Sequence, residues 1–532
     1  MNSHANDLVD TELYDAVSQV GLDVEYIRSR GNTMWARGRD GGEIPVTDFI
    51  GGYGSLILGH NNPEVVARAK ELLDRDTPVH AQVSLRPEAA EVAASLNGIL
   101  HREFGTDEPH FAIFANSGAE AVEAAVKHAE MDRRLRLDEL TASIETHIAE
   151  ARAAVAEGRA VVAPAVLSAL DLPATASTEN VLDALEARVR TFNAARPVAD
   201  PLLFSLTGGF HGKLMGSVQL THNPQFRNPF TELGVRPRFL GVNEPRELRP
   251  AFEAERVTAL DLTIGNGVVD LVERDVPVFC ALLVEVVQGE GGIVPVAPDF
   301  VKELQAVCAE FDCPIVVDEV QTGAGRSGAF FASSLIQLRG DYYTLAKSLG
   351  GGLAKTSVTL VREARYRPAF ELVHSSTFAK DAFSSGITLK VLELLEADSG
   401  AAYRAAAERG ARLGEALEAV RAEYDDIIAD VRGLGLLIGV EFTDRSQSGS
   451  PMVRQTQPAG LLGFLISGFL LHEHHIRVMP TGSAPNTLRL EPSIGLTDEE
   501  IDRLAAGLRE VCGVLRDGDD ARLTAFVGAR HF

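Results

Sequence analysis

Four cysteines in 532 residues, Cys280, Cys308, Cys313 and Cys512, leave little material for disulfide or metal chemistry. Cys308 and Cys313 are too far apart for a CxxC pair, and no Cys/His cluster has zinc spacing. Reduced, buried thiols are therefore expected and a metal site is not. Basic residues are also few: Lys and Arg total 50 against 75 Asp and Glu, a formal net charge of −25. That balance disfavours non-specific binding to nucleic acid or to an anionic membrane, while leaving room for a local anion site within an acidic surface. Long apolar runs are lacking as well. The most apolar, Ala459 to Leu471, is too short to span a bilayer and reads as a buried helix. The opening residues, MNSHANDLVDTELYD, have no basic stretch leading into an apolar core. That is not the pattern of a secretory leader, so a cytoplasmic protein is expected. No internal repeat or low-complexity tail is evident. What is present, 45% hydrophobic and 23% charged residues, is ordinary for a globular chain long enough for a large core and more than one domain.

The most informative stretch runs from Pro314 to Gly352. Ile315 to Val317 is a short apolar run ending in Asp318 and Glu319, the pattern of a buried parallel strand that delivers acids at its C-terminal edge. Tyr342 to Ala346 then leads into Lys347, Ser348, Leu349 and three glycines. A lysine between an apolar strand and a glycine run is placed to leave the backbone at a cleft. Partly desolvated, it can lose its proton and attack a carbonyl carbon. An aspartate nearby can pair with a protonated ring nitrogen. A Schiff-base lysine and a pyridinium partner are what pyridoxal phosphate needs. Taken alone, the stretch equally fits a common strand end followed by a solvated loop.

Other segments supply further chemistry. Residues 1 to about 30 carry a helical pattern, and Thr33 to Ile50 reads as a β-hairpin turning at Asp40-Gly41-Gly42. Tyr53 stands among glycines, where a substrate contact and simple packing are both open. His110 to Ala115 reads as a strand, and Asn116-Ser117-Gly118-Ala119-Glu120 as the turn into an Ala-rich helix. Free backbone N–H groups and the helix dipole converge there, which makes Ser117, Gly118 and Ala119 candidates to cradle a phosphate; Ser117 as a plain N-cap is the alternative. Residues 131 to about 200 read as an insertion of two to four helices with a turn around Asp171-Leu172-Pro173. Leu202 to Leu206 is a strand followed by Phe210, an aromatic free to lie against a planar ring. After irregular sequence, a second apolar strand ends at Glu285, with Gln288 and Glu290 beyond it. Arg489 sits in an apolar strand, where an unpaired charge is costly, so it needs a structural or a substrate carboxylate as partner. Thr497 reads as the N-cap of the last helix.

In order, the residues Gly-His-x-x-Pro (59–63), Asn-Ser-Gly-Ala-Glu-Ala (116–121), Phe-His-Gly (210–212), Glu-x-x-Gln-Gly-Glu-Gly-Gly (285–292), Asp-Glu-Val-Gln-Thr-Gly-x-Gly-Arg-x-Gly (318–328), Ala-Lys-x-Leu-Gly-Gly-Gly (346–352), Ser-Thr-Phe (376–378) and Leu-Arg-Leu-x-Pro (488–492) resemble class III aminotransferases. The resemblance covers roughly residue 30 to the C-terminus apart from the insertion. It implies a fold-type I α/β enzyme that uses pyridoxal 5′-phosphate, with a large domain around a mostly parallel sheet and a smaller α+β domain. The expected division is 1–75 packing with the small domain, 76–375 as the cofactor-binding domain with the insertion at 131–200, and 376–532 as the small domain. By position, Lys347 would form the Schiff base and shuttle a proton, and Asp318 would keep the ring nitrogen protonated. Gln321 would touch the ring hydroxyl, with Val320 and Phe210 on opposite ring faces. Ser117, Gly118 and Ala119 lie in the phosphate motif, and His211 and Glu285 are carried over as further cofactor contacts. Thr377 would reach the phosphate of a neighbouring subunit's cofactor, which implies a homodimer with shared sites. Arg489 would grip a substrate carboxylate and Glu290 would pair with it otherwise; Tyr53 and Lys213 align with substrate-contacting positions.

The chain departs from the family pattern at several points. Val286 follows Glu285 where a proline is usual, and Lys213 replaces a frequent arginine, losing a bidentate grip. The phosphate loop lies several dozen residues farther from Phe210 than usual, and the last motif continues Glu-Pro-Ser-Ile-Gly-Leu-Thr rather than with two prolines. These changes point to an unusual, larger substrate in specialised metabolism, partly covered by the insertion. The leading expectation is transfer of an amino group from an amine or amino acid to a 2-oxo acid. The same scaffold also serves carbon–carbon bond formation, β/γ-replacement and decarboxylation, and a binding or assembly role is a third class. The insertion itself reads as a solvated decoration, a lid or a dimer contact.

Overall fold

Apolar runs of four to seven residues cannot serve as half-exposed strands; they belong at the centre of a sheet covered on both faces. A computed structural model describes residues 9–80, 83–169, 177–195 and 200–526, and it places these runs so. Seven strands, β1 (His110–Ala115), β2 (Leu202–Leu206), β3 (Arg238–Leu240), β4 (Phe279–Glu285), β5 (Ile315–Asp318), β6 (Tyr342–Leu345) and β7 (Ser357–Arg362), form one sheet. Their order is β1-β7-β6-β5-β4-β2-β3. Every residue of β4, β5 and β6 is buried. Six strands run in one sense, and β7 alone runs against both its neighbours. The fold is α/β with a mostly parallel central sheet. The register aligns the ends of the central strands: Glu285 pairs with Asp318, and Asp318 with Thr344, so three strands end side by side.

Two smaller sheets flank this one. Strands Tyr26–Arg30, Thr33–Arg37 and Glu43–Asp48 form an antiparallel meander, joined in parallel by Ile476–Arg477. Residues 26–30, expected to be helical, are a strand; among the described residues the helix before them is Thr11–Gln19, and residues 1–8 of that reading lie outside the described residues. Strands Ile428–Leu434, Leu437–Phe442, Thr487–Leu490 and Met479–Pro480 form an antiparallel sheet that carries Arg489. The last helix, Asp498–Asp517, starts on a capping box in which Thr497 and Glu500 satisfy each other's backbone N–H. The apolar stretch near residue 460 is the helix Leu462–His474, almost wholly buried. Among the described residues no helix is long and apolar enough to cross a membrane, and all four cysteines are free and buried.

Three described helices fall in the segment read as an insertion of two to four helices, but there is no break at its start. One unbroken helix, Gly118–Ala156, runs through residue 131 and into it. Beyond lie the short strand Val161–Val162, helix Pro164–Ala169 and helix Thr178–Ala194; the turn read at Asp171-Leu172-Pro173 falls outside the described residues. These pack on a hairpin, Thr258–Gly265 and Val268–Asp275, with Val161–Val162 extending its sheet. The hairpin falls in sequence read as irregular. Its signal was an Asn266-Gly267 pair between alternating apolar residues, with both φ angles positive as a tight hairpin turn requires. Helices and hairpin share their own apolar cluster, with Ile144, Ile148, Leu185, Val189, Leu262 and Val269 at its centre. At 1.5 Å per residue, Ile144 lies about 39 Å along the helix from Gly118. The insertion therefore does not cover the end of the sheet where Gly118 sits in the same chain, contrary to the expectation of a covering segment.

The separate core yields a test. Leu185→Ala removes a fully buried side chain from that cluster and is expected to cost ~2–4 kcal/mol locally. In hydrogen exchange, amides of 178–194 and 258–275 should lose protection while those of β4, β5 and β6 keep theirs. Equal loss across both regions would show that the two cores unfold as one.

Candidate active site

The C-terminal edge of the sheet gathers the chemistry. A cavity of about 200 Å³ there is lined by Gly118, Ala119, Phe210, His211, Gly212, Glu285, Val287, Asp318, Val320, Gln321 and Lys347. Five strands deliver these residues: β1 leads into the helix starting at Gly118, β2 into Phe210 and His211, β4 ends at Glu285, β5 ends at Asp318, and β6 leads to Lys347. Lys347 follows β6 by two residues. Its φ of 49° puts a non-glycine residue in the left-handed region, a strained conformation that turns the lysine out of the strand direction.

Asp318 is almost completely buried, and its carboxylate is held on both sides. Oδ2 shares a 2.8 Å hydrogen bond with His211 Nδ1, and Oδ1 accepts from the Val320 N–H at 3.1 Å and from Thr344 Oγ1 at 3.2 Å. Burial works against a charged His211, but the Asp318 hydrogen bond and charge outweigh it, so the imidazole pKa is raised. Glu285, one strand away, accepts from the backbone N–H of Phe210 at 2.8 Å and of Gly289 at 3.1 Å. Burial pushes its carboxyl from the ordinary 4.5 up to about 7, with His211 opposing and Asp318 adding to the rise. Burial likewise lowers the Lys347 amine; Glu491 opposes that shift most, and Arg489 reinforces it.

The helix end is built for close approach. A Cβ on Gly118 would lie 2.7 Å from Val320 Cγ1, so only glycine lets the first helical turn sit against that side chain. Ser117 Oγ accepts from the Glu120 N–H, and Glu120 Oε2 accepts from the N–H groups of Asn116 and Ser117. Ser117 is thus an exposed helix cap and is not on the cavity wall, while Gly118 and Ala119 are. Asn116 Nδ2 donates to Ser376 Oγ at 2.9 Å and ties in the loop that carries Thr377. Thr377 itself lies outside the cavity on an exposed stretch with Phe378.

Beyond the cavity lies a charged and aromatic mouth. Arg489 is buried and donates from Nη1 to Glu290 Oε1 at 2.5 Å. Glu290 also accepts from the Gly482 N–H at 2.6 Å. Burial raises the Glu290 carboxyl less than Arg489 lowers it, leaving it below its ordinary range. Tyr53 lays its ring 4.9 Å from Arg489 Cζ, and Lys213 Nζ stands 3.9 Å over the ring of Phe226.

The cavity-lining Gly212 and Val287 are absent from the sequence-based set of site residues, and so are Glu491 and Phe226. Glu491 is wholly buried in the strand end that carries Arg489, and it accepts from Gln321 Nε2 at 2.7 Å. A charge in an apolar strand needs a partner, and that holds for this glutamate as it does for the arginine two residues before it. Phe226 lies in a short helix, Pro224–Arg227, inside the segment read as irregular, and carried no comparable signal.

Residues 14–511 match the Aminotransferase class-III family model. A putrescine aminotransferase of Pectobacterium atrosepticum is 27% identical over 470 residues, 87% of this chain and 78% of that protein. Two solved structures share the fold. An amine transaminase from an uncultivated Pseudomonas species, in its PLP-bound form, superposes with a TM-score of 0.65 at 21% identity over 92% of this chain and 95% of that one. The ornithine aminotransferase of Toxoplasma gondii gives 0.63 at 20% identity over 93% and 91%.

The raised Glu285 pKa makes a stability prediction. Its folded pKa exceeds its unfolded one, so its contribution is complete below about 4.5 and is lost as pH rises through about 7. The full span is worth about 3 kcal/mol. Glu285→Gln does not titrate and keeps one acceptor oxygen. Urea unfolding of the cofactor-stripped protein should show wild type losing stability between pH 5 and pH 8 more steeply than the variant. Parallel profiles would place the Glu285 pKa at its ordinary value.

Proposed function

Since the chain belongs to the class-III aminotransferases, pyridoxal 5′-phosphate-dependent transferases of fold type I, we propose that it moves an amino group from a primary amine or amino acid to a 2-oxo acid. One observation carries this reading. Asp318 and Lys347, delivered by adjacent strands, line a single cavity, and the paired charges of Arg489 and Glu290 lie close enough to act on the Lys347 amine.

The residues present fit the cofactor. A buried aspartate oriented by three hydrogen-bond partners, a partly desolvated lysine and a glycine-thinned helix start surround one small cavity. When bound, pyridoxal phosphate supplies a conjugated ring that takes up the electrons released at the substrate Cα. Lys347 Nζ would hold the cofactor's carbonyl carbon and, once displaced by substrate, carry a proton from Cα; burial lowers its pKa, the direction that favours the free amine a base needs. Asp318 would hold the proton on the ring nitrogen, and His211 fixes that carboxylate's direction from behind. Gly118 and Ala119 would offer N–H groups and the helix dipole to the phosphate. Phe210 and Val320 would bound the ring, and Gln321 would reach its hydroxyl.

The substrate end would use Tyr53, Lys213, Glu290 and Arg489. An amine donor draws support from the putrescine aminotransferase relative and from the aromatic mouth formed by Tyr53, Phe210 and Phe226. Thr377, exposed beside the cavity with Phe378 and Leu372, would complete the site of a second copy, so the working unit would be a homodimer.

Two experiments test this. With ¹⁵N-labelled primary amines and amino acids supplied one at a time, the label should appear in the amino acid formed from an added 2-oxo acid. Lys347→Ala should lower that rate by about 10²–10⁴-fold or more. Carbon dioxide release or a rebuilt donor skeleton, with no labelled amino acid, would instead favour decarboxylation or bond-forming chemistry. By light scattering the protein should have the mass of two chains; a monomer that transfers nitrogen at full rate would remove the role given to Thr377.

A further inference from the structure

Arg489 faces two carboxylates of very different freedom. Glu290 stands on the turn after β4, partly open to the mouth, and meets Arg489 Nη1 through a direct hydrogen bond. Glu491 is sealed. Its backbone N–H donates to the Phe49 carbonyl at 2.6 Å, and Oε1 accepts from Gln321. Oε1 also packs so close to Gly54 that a Cβ there would lie 2.4 Å away. The remaining oxygen, Oε2, lies 3.4 Å from Arg489 Nε, and neither atom has a hydrogen-bond partner among the described residues. Glu491 is therefore a fixed negative charge against the inner side of the guanidinium. Another buried arginine, Arg326, also feels the Glu491 charge, but it spends its Nη atoms on the carbonyls of Leu436, Pro492 and Gly54.

A substrate carboxylate can displace Glu290, which has somewhere to go. It cannot displace Glu491. The arriving carboxylate then meets a guanidinium whose charge is already answered from behind, at short range and in a buried setting where like charges repel strongly. A substrate end without charge loses nothing, since the outer side of the site offers the rings of Tyr53 and Phe226.

We infer that Glu491 sets the donor class by holding down the carboxylate affinity of Arg489, so that primary amines with an uncharged far end are used in preference to amino acids that place a carboxylate there. This rests on the amino-transfer reading and adds the substrate class to it. Glu491 acts through Arg489 and is a specificity-determining residue, not a reacting one.

Hexylamine and 6-aminohexanoate have the same chain and differ only in the terminal carboxylate. The wild-type holoenzyme should favour hexylamine in kcat/KM by roughly tenfold or more. Glu491→Gln keeps the acceptor for Gln321 and removes the charge. Because Glu491 also acts on the Lys347 amine, kcat should change alike for both donors, while KM for 6-aminohexanoate should fall about tenfold relative to KM for hexylamine and glutarate binding, read by calorimetry, should tighten by a similar factor. A purely structural role would instead change both KM values by the same factor and lower Tm. A wild type that favours 6-aminohexanoate, or a variant whose glutarate affinity is unchanged, overturns the inference. Should neither amine transfer nitrogen to any 2-oxo acid, the amino-transfer reading fails, while glutarate binding still decides the charge effect of Glu491.

Discussion

A carboxylate buried at the end of a parallel strand persists only where something answers its charge, and the arrangement of this site derives from that requirement at Asp318. The partner is His211, which comes from a loop after β2, two strands away in the sheet. To bring it there, the loop must cross over the end of β4. Glu285, at that end, receives the Phe210 N–H and fixes the crossing. The same hydrogen bond puts the Phe210 ring on the cavity wall. One buried charge thus dictates the path of a loop, the place of an aromatic ring and the environment of a second carboxylate, which responds by holding its proton more tightly.

The opposite wall obeys a different constraint, that of backbone proximity. Gly118 brings the first helical turn against Val320, and the residue after it meets Gly212 at a distance that also excludes a side chain. Charge placement on one side and glycine packing on the other leave a narrow slot between. Lys347 enters it from a strained backbone position, and its amine is surrounded by a set of charges of both signs: Asp318, Glu290, Glu491 and Arg489.

Much of this was legible in the amino-acid sequence because the signals are local. Apolar runs ending in acids mark β4 and β5, and a strand followed by small residues and a helix marks the turn at Asn116 to Glu120. The family motifs tie those pieces together in order. What escaped depended on partners distant in the chain or on signals open to two readings. The hairpin of residues 258–275 carried an Asn-Gly turn and clear alternation, yet its packing partners lie in the insertion far upstream. The continuity of helix Gly118–Ala156 could not be read from composition, because the change of character near residue 131 suggested a boundary where the backbone has none. Ser117, readable either as a phosphate contact or as a cap, caps the helix, and the capping box is visible in the sequence as Ser117 and Glu120 three residues apart. Glu491 was hidden by its neighbours: Arg489 draws the attention, and nothing local says that both charges are sealed in together.

That unbroken helix has a practical side. One end forms part of the cavity and the other ends in a module with a core of its own, about 57 Å away if the axis is straight. A rigid rod of this kind separates handling from chemistry. Exposed positions on the module, such as those flanking Glu157 and Gly158, are suited to a fluorophore, a surface anchor or a fused partner, with the attachment held far from the reacting groups by the protein's own architecture.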